Sequence, residues 1–328
     1  MSPRPLLRVN DLTKTYGGQG LFSRGRPVQA VSGVSFEIGQ GETLALVGES
    51  GCGKSSVGRM VMRLTEPSAG SIEFDGRDLA ILHGRALAAE RHKIQMVFQD
   101  PFGSLNPRKA VRHILRQPLR AAGHRGVLER EVLGLLDMVG LRPPERFIDR
   151  LPHEFSGGQR QRIAIARAFA MKPRLVVADE PVSALDVSVR AQVLRLMQQL
   201  QAESGVSFLF ISHDLGVVRS IAQRVAVMYL GKLVESGPVE DIFTAPRHPY
   251  TQALLSASPL PDPARARERQ RILLQGDLPS PSAPPPGCRF HTRCPVAQGT
   301  CRQVEPLLIT SGPDHLVACH LVHPVARQ

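Results

Sequence analysis

The residues from Gly48 to Ser55 have the types and the spacing of a phosphate-binding loop. They run Gly-Glu-Ser-Gly-Cys-Gly-Lys-Ser, which fits the pattern G-x-x-x-x-G-K-[ST]. Glycines let a backbone curl so that successive N–H groups point at a phosphate. The lysine of such a loop reaches the β- and γ-phosphates, and its serine hydroxyl binds Mg²⁺. The pattern therefore predicts that Lys54 and Ser55 hold a nucleoside triphosphate and its metal; the alternative is a glycine-rich turn that binds nothing.

The segments on either side of this loop favour phosphate binding. Residues 43–47 form an apolar run that predicts a buried parallel strand, and residues 56–64 repeat apolar side chains at helical spacing. A helix that begins at the loop turns its positive end toward the same anion. We therefore expect the loop and the residue after it to contact the nucleotide: Gly48, Glu49, Ser50, Gly51, Cys52, Gly53, Lys54, Ser55 and Ser56.

Two carboxylates end another apolar run. Residues 175–178 predict a buried strand, and Asp179 and Glu180 follow it directly. A carboxylate at a strand tip can hold Mg²⁺ through water, and its neighbour can act as the general base for an attacking water. We assign these roles to Asp179 and Glu180 respectively. A pair that only caps a turn is the alternative, and the phosphate loop elsewhere in the chain argues against it.

Three single residues lie where predicted strands end. Gln99 follows the run 94–98 and can reach a metal or a water near the γ-phosphate, although a surface glutamine is the ordinary interpretation. His213 follows residues 208–212 and can contact the γ-phosphate, although a lone histidine is usually structural. Tyr16 can stack on an adenine ring or pack at the edge of the core.

A second anion-binding turn is predicted before the helix over 160–171. It consists of Ser156, Gly157, Gly158 and Gln159, and a Ser-Gly-Gly turn at a helix start points N–H groups at an anion. Two such turns indicate two surfaces that each bind phosphate. The turn follows a helix-patterned, arginine-rich stretch over residues 104–151. This stretch predicts a helical insertion into an α/β core, which we place at about residues 101–164.

Composition limits the remaining classes. The chain has 328 residues, of which 42% are hydrophobic, and no apolar run approaches the ~18 residues of a membrane span. Its N-terminus has no apolar signal segment, so we expect a cytoplasmic protein that touches a membrane only through a partner. The net charge of +12 fits anionic lipid, nucleic acid or a solvated surface. Because no basic cluster is interleaved with aromatic residues, we expect no nucleic-acid partner.

The C-terminal part carries a cysteine group: Cys288, Cys294, Cys301 and Cys319. In a cytoplasmic chain, clustered cysteines favour metal over disulfides. Their spacing, C-x5-C-x6-C-x17-C, lacks the close pairs of structural zinc and suits an iron–sulfur cluster better. Thiols that bind nothing are the alternative. Composition shifts after about residue 244, and a proline-rich linker over 279–287 precedes the cysteines.

Taken together, these motifs resemble the ABC ATPases. The phosphate loop, Gln99, residues 155–159, Asp179-Glu180, residues 183–186 and His213 match, in order, Walker A, the Q-loop, the signature, Walker B with its catalytic glutamate, the D-loop and the H-loop. Tyr16 matches the adenine-stacking aromatic. The resemblance covers about residues 6–245. Phe155 departs from it, since most ABC proteins have leucine there.

Four further segments are similar to the oligopeptide/dipeptide importer family, most of all to its F-type ATP-binding subunits: residues 97–107, 152–162, 247–255 and the tail from 284 to 320. This resemblance implies a P-loop NTPase fold of the α/β class, with a RecA-like core, an antiparallel β edge and a helical subdomain. It implies an ABC ATPase domain over 1–245 and a small cysteine-containing extension over 246–328. Some members are described with a [4Fe–4S] cluster in that extension.

The family also implies a mechanism. ATP is sandwiched between Lys54 and Ser55 of one subunit and the signature, Ser156-Gly157-Gly158, of another that meets it head to tail. Mg²⁺ is held by Ser55, Gln99 and Asp179. Glu180 activates water and His213 holds the γ-phosphate, with Lys54 and Gln99 also serving catalysis.

The implied partners are a homologous ATPase subunit, identical or different, two integral membrane permeases and, indirectly, an extracytoplasmic peptide-binding protein. The location is peripheral, on the cytoplasmic face of the membrane. The same machinery importing nickel or another small solute is the alternative. A soluble ABC ATPase is a more distant alternative. Repair-type members carry a long coiled coil between the Q-loop and the signature, and the 57 positions from Gln99 to Ser156 are too few for one. A P-loop kinase is a third alternative, but the signature and its helix would have no role in such an enzyme.

Overall fold

A computed structural model describes residues 4–17, 27–258 and 271–323. The strands, numbered along the chain, are β1 (Leu7–Tyr16), β2 (Val28–Ile38), β3 (Thr43–Val47), β4 (Ala69–Phe74), β5 (Arg77–Asp78), β6 (Ile94–Val97), β7 (Leu175–Asp179), β8 (Ser207–Ser212), β9 (Arg224–Tyr229), β10 (Lys232–Pro238), β11 (Ile309–Gly312) and β12 (His315–Val317). The α-helices are α1 (Lys54–Val61), α2 (Gly84–Lys93), α3 (Pro101–Ser104), α4 (Val111–Ala121), α5 (Glu129–Met138), α6 (Gly157–Phe169), α7 (Val187–Ser204), α8 (Leu215–Ile221), α9 (Val239–Thr244) and α10 (Pro249–Ala257).

The chain divides into two compact units. The first, here called the loop unit, takes its described residues from 1–38, 43–80 and 212–328, and it contains the phosphate-binding loop. The second, here called the helical unit, takes 39–42 and 81–211 and contains the signature turn.

The loop unit has an antiparallel sheet in the order β2-β1-β4-β5. Leu7 pairs with Ile38 on one side and with Phe74 on the other, and all three side chains are fully buried. Alternating apolar residues thus put one face of the sheet in the core, as the period of two in β2 predicts. The alternation over residues 28–38 predicts a strand at the sheet edge, and β2 lies at the edge of this sheet.

The strand that leads into the phosphate-binding loop, β3, pairs with strands outside this antiparallel sheet. β3 is buried at all five positions and runs parallel to β9. β9 and β10 form an antiparallel hairpin around Leu230 and Gly231. β12 then pairs antiparallel with β10, and β11 with β12. The sequence did not predict β11 and β12, because strands this short depend on pairing with a neighbour more than on their own propensity.

The helical unit contains the parallel strands β6, β7 and β8, with β7 between the other two. All five residues of β7 are buried, which fits a strand covered on both faces. In α6 the side chains of Ile163, Ile165 and Ala166 are fully buried, as its helical period predicts. The insertion expected over 101–164 is helical and contains α3, α4, α5 and most of α6.

Two helix starts differ from the predicted ones for local reasons. α1 begins at Lys54 instead of residue 56, since Gly53 adopts a left-handed conformation (φ 107°) and serves as its N-cap. α6 begins at Gly157 instead of residue 160. The Ser156 hydroxyl accepts a hydrogen bond from the Gln159 N–H (3.3 Å), and the Gln159 side chain accepts one from the Ser156 N–H (3.0 Å). This capping box moves the helix start into the signature turn.

The proline-rich stretch is docked on the loop unit. From residue 271 to 298 the described chain has no helix or strand, as expected of a linker. It is nevertheless attached, because the Gln29 N–H donates to the Pro281 carbonyl (3.1 Å) and the Ala283 N–H closes a turn on Ser280 (3.0 Å).

Candidate nucleotide-binding site

Two glycines let the phosphate-binding loop pass close to its neighbours. Gly48 has φ 149°, and a Cβ there would lie 2.1 Å from the Met228 carbonyl oxygen in β9. Gly53 has φ 107°, and a Cβ there would lie 2.2 Å from the Ala30 carbonyl oxygen in β2. Neither position has room for a side chain, so the loop pattern reflects steric contact as well as backbone conformation.

Replacing Gly48 by alanine is expected to destabilise the protein by about 1–3 kcal/mol, the cost of overpacking against a fixed carbonyl, and to weaken nucleotide binding. Gly51→Ala is the matched control. Gly51 also has a positive φ (78°), but nothing lies within 4 Å of the added Cβ. Urea unfolding and nucleotide titration of both variants measure the difference. Equal effects of the two substitutions would contradict the steric explanation.

Lys54 lies inside the curled loop. Its side chain is buried, and Nζ donates to the carbonyls of Gly48 (2.8 Å) and Glu49 (2.9 Å). Nζ also lies 3.7 Å from the Cys52 sulfur. Burial raises the pKa of the Cys52 thiol, which keeps it neutral. The loop therefore carries one buried ammonium and no competing thiolate, which suits an anionic ligand.

Tyr16 and His213 are accessible at the ends of their strands. Tyr16 is 39% exposed; its hydroxyl lies 3.5 Å from Ser56 Oγ, and the Lys14 ammonium lies 5.2 Å from its ring centroid. An exposed ring face fits stacking on a base better than packing in the core. His213 is exposed after β8, just before the Asp214 cap of α8.

In the helical unit the structure brings Gln99 and Glu180 together. Gln99 Nε2 donates to Glu180 Oε2 (2.9 Å), although the two residues are 81 positions apart. Glu180 has a left-handed backbone (φ 49°), held by a hydrogen bond from its N–H to the Ile211 carbonyl (2.9 Å). Such strain in a non-glycine residue is typical of functional sites. Asp179, at the end of β7, is buried.

The signature turn presents its first two residues at the surface. Ser156 and Gly157 are exposed, while Gly158 is buried where a Cβ would lie 2.3 Å from Val189 of α7. Phe155, where the sequence departs from most ABC proteins, is buried with its ring centroid 6.0 Å from that of Phe147. The Phe155 ring is thus accommodated beside another aromatic ring, and the exposed Gly157 keeps its N–H at the surface.

The cysteine group gives the iron–sulfur hypothesis no structural support. Cys288, Cys294, Cys301 and Cys319 are free thiols. Burial raises the pKa of Cys288 to about 11, so this thiol is neutral while no metal is bound. Within the described ranges, no three His, Cys, Asp or Glu side chains are arranged to hold a metal ion. The cluster stays a hypothesis from sequence alone. Iron analysis of an anaerobic preparation tests it, and an iron-free, colourless protein would reject it.

Two contacts to the phosphate loop could not be predicted from the sequence. Tyr250 and Arg293 both bind Glu49 of the phosphate loop from more than 200 positions away. No local pattern signals either contact, since neither residue belongs to a motif with the loop.

Comparisons with known proteins agree with this geometry. A family model described as ABC transporter matches residues 31–183, and one described as Oligopeptide/dipeptide transporter, C-terminal region, matches residues 234–301. The oligopeptide transport ATP-binding protein AppF of Bacillus subtilis is 52% identical over 321 residues, which are 96% of this chain and 97% of the relative. This chain belongs to the ATP-binding proteins of ABC transporters.

Other relatives and structures place this ABC ATPase in the same group. The dipeptide transport ATP-binding protein DppF of Escherichia coli is 52% identical over 97% of this chain and 95% of its own length. A dimeric structure of the ATP-binding cassette MJ0796, in a post-hydrolysis state with ADP and Pi, has a TM-score of 0.63 at 30% identity. The superposed region is 71% of this chain and 98% of the MJ0796 chain.

These findings confirm the predicted family and the P-loop fold. The C-terminal family match begins at residue 234, within β10, and includes Cys288, Cys294 and Cys301 but not Cys319. The domain boundary at 245/246 stays a prediction. In the part of the chain that the structure describes, no helix has the length and apolar character to cross a membrane.

Proposed function

We propose that this ABC ATPase powers an importer that takes up dipeptides or oligopeptides across the cytoplasmic membrane. The observation that carries the proposal is the near-complete coverage of AppF and DppF at 52% identity, C-terminal region included. A generic ATPase cassette would account for the match to the ABC transporter model over residues 31–183. It would not account for the match to the oligopeptide/dipeptide transporter C-terminal region over residues 234–301.

The chemistry of the residues that the family pattern singles out fits ATP and Mg²⁺. Lys54 and the loop N–H groups bind the phosphates, and Tyr16 offers a ring face to the base. Bound Mg²⁺ would neutralise phosphate charge, held by Ser55, Asp179 and Gln99. Glu180 takes the proton of the attacking water, with Gln99 hydrogen-bonded to its carboxylate at 2.9 Å. His213 contacts the γ-phosphate.

A head-to-tail dimer is part of the proposal. The exposed Ser156 hydroxyl and the exposed Gly157 N–H are donors for the ATP held by another subunit, which accounts for two anion-binding turns in one chain. The related cassette MJ0796 is dimeric in its ADP-bound structure. The sister subunit is a second copy or a homologous chain. Two permeases, served by an extracytoplasmic peptide-binding protein, anchor the dimer to the cytoplasmic face of the membrane.

Lys54→Ala is expected to weaken ATP binding about tenfold to about a hundredfold, because hydrogen bonds to a charged partner are lost. Titration of the purified full-length chain with a fluorescent ATP analogue measures this change. Lys109→Ala, at an exposed position of the helical unit, is the control and should bind as the wild type does. Unchanged affinity in the Lys54 variant would remove the loop from the ATP site.

A mild-detergent pull-down of the tagged chain from its own membranes, with mass spectrometry, tests the transport role. Two multi-span permeases and a second ATPase support the importer, and a co-purifying binding protein shows whether peptide or another solute, such as nickel, is the cargo. Recovery only in the soluble fraction, with ribosomes or nucleic acid, would overturn the transport proposal.

A further inference from the structure

Glu49, the second residue of the phosphate-binding loop, is held by groups from three parts of the chain. Its N–H donates to the Tyr250 hydroxyl (2.9 Å). Its carbonyl accepts from Lys54 Nζ (2.9 Å). Its carboxylate accepts two hydrogen bonds from Arg293, from Nη1 to Oε2 (2.7 Å) and from Nη2 to Oε1 (3.1 Å). The backbone and the side chain of Glu49 are therefore both fixed.

The Arg293 contact is a well-formed ion pair in a sheltered place. The Arg293 side chain is 10% exposed and that of Glu49 is 28% exposed. Two parallel N–H···O bonds to one carboxylate set the direction of the guanidinium as well as its distance. The hydrogen bonds that Arg293 donates to the Glu49 carboxylate raise the pKa of the guanidinium, so the arginine stays charged. The paired geometry and the opposite charges together make Glu49 the specific partner of Arg293.

Tyr250 forms an aromatic cluster with Tyr229 and Phe290, and Arg293 is attached to the same cluster through Phe290. Tyr229 packs edge-on against Tyr250 (centroids 4.7 Å apart) and against Phe290 (5.2 Å), and all three rings are buried. The Arg293 N–H donates to the Phe290 carbonyl (3.0 Å), so the guanidinium is positioned from this cluster. Tyr229 ends β9, the strand parallel to β3 that leads into the loop.

The position of this contact distinguishes it from an ordinary structural ion pair. Glu49 belongs to the phosphate-binding loop, and its carbonyl accepts a hydrogen bond from the Lys54 ammonium. A rotation of the Glu49 peptide would move both an N–H donor and that ammonium. Since burial raises the pKa of the Tyr250 phenol, the hydroxyl stays neutral and can accept the Glu49 N–H.

We propose that Arg293 and Tyr250, from the C-terminal segment, are positioning residues that hold the phosphate-binding loop in its ATP-binding conformation through Glu49. This inference rests on the proposed ATP site. It gives the C-terminal segment a part in nucleotide affinity, so that a change in the segment around Arg293 is transmitted to the loop. In this proposal both residues act through Glu49 and need no contact with the nucleotide.

Arg293→Gln in the full-length chain is expected to raise the KM for ATP about tenfold, the loss of a hydrogen bond to a charged group, with little change in kcat at saturating ATP. Glu49→Gln should do the same. The double variant should be no worse than either single one, because both remove the same interaction. Arg293→Lys, which keeps the charge but loses the paired geometry, should fall between wild type and Arg293→Gln.

Arg302→Gln, at an exposed arginine of the same segment, is the control and should leave KM unchanged. Measurements well below the unfolding temperature of each variant separate affinity from stability. A wild-type KM for Arg293→Gln, or additive effects of the Arg293 and Glu49 substitutions, would overturn the proposal. Failure of the ATP site itself would instead appear as wild-type protein that does not bind ATP.

Discussion

Glu180→Gln is expected to lower ATP turnover by about 10²–10⁴-fold in the assembled complex, the usual contribution of a general base. The amide cannot take a proton from the attacking water, but it keeps the size and most hydrogen bonds of the carboxylate. ATP binding, which rests on the loop around Lys54, should persist. The variant is therefore expected to trap ATP without hydrolysing it.

The structure explains why one residue should matter this much. Glu180 follows the buried strand β7, its backbone is held at φ 49°, and its Oε2 accepts the Gln99 side chain at 2.9 Å. The carboxylate is thus fixed in direction before any substrate binds, which is the condition for efficient proton transfer. Steady-state hydrolysis and nucleotide titration separate loss of chemistry from loss of binding.

Glu203→Gln is the matched control, since Glu203 is an exposed carboxylate near the end of α7 in the same unit. It should hydrolyse ATP at the wild-type rate. Unchanged turnover in the Glu180 variant of the assembled complex would show that another group activates the water. Gln99→Ala then reports on the contact itself, because it removes the hydrogen bond but leaves the carboxylate.

Glu235→Ala is expected to lower the free energy of unfolding by about 3–5 kcal/mol, the cost of breaking a fully buried polar network. The Glu235 side chain has no exposed surface. Its carboxylate accepts from the N–H groups of Arg247 (2.7 Å) and His248 (3.1 Å) and pairs with His315 Nε2 (2.8 Å). The substitution leaves these three partners buried without their acceptor.

This network joins the C-terminal residues around His315 to strand β10 of the loop unit. Glu235 lies in β10, and His315 begins β12, which pairs with β10. Urea unfolding followed by circular dichroism measures the loss of stability. Glu305→Ala is the control. Glu305 pairs with Lys232 at the surface, where ion pairs contribute about 0–1 kcal/mol. Equal midpoints for the two variants would contradict the role of Glu235.

The sequence by itself determined the chemistry of this protein. The pattern around Lys54, the carboxylates after β7 and the capping turn at Ser156 depend on neighbours within a few positions, so residue type and spacing predict them. The same holds for β3, whose bounds in the structure are those predicted, residues 43–47. The family followed from these local motifs taken in order.

Only the tertiary structure decided which distant residues meet. The Gln99–Glu180 contact, the pairing of β12 with β10 and the attachment of Arg293 to Glu49 each join residues about 80 to 250 positions apart. A pattern within one segment carries no information about such pairs, because their partners are chosen by the packing of strands and by shared burial. The sequence therefore located the ATP motifs, while the fold showed that the C-terminal segment holds one of them.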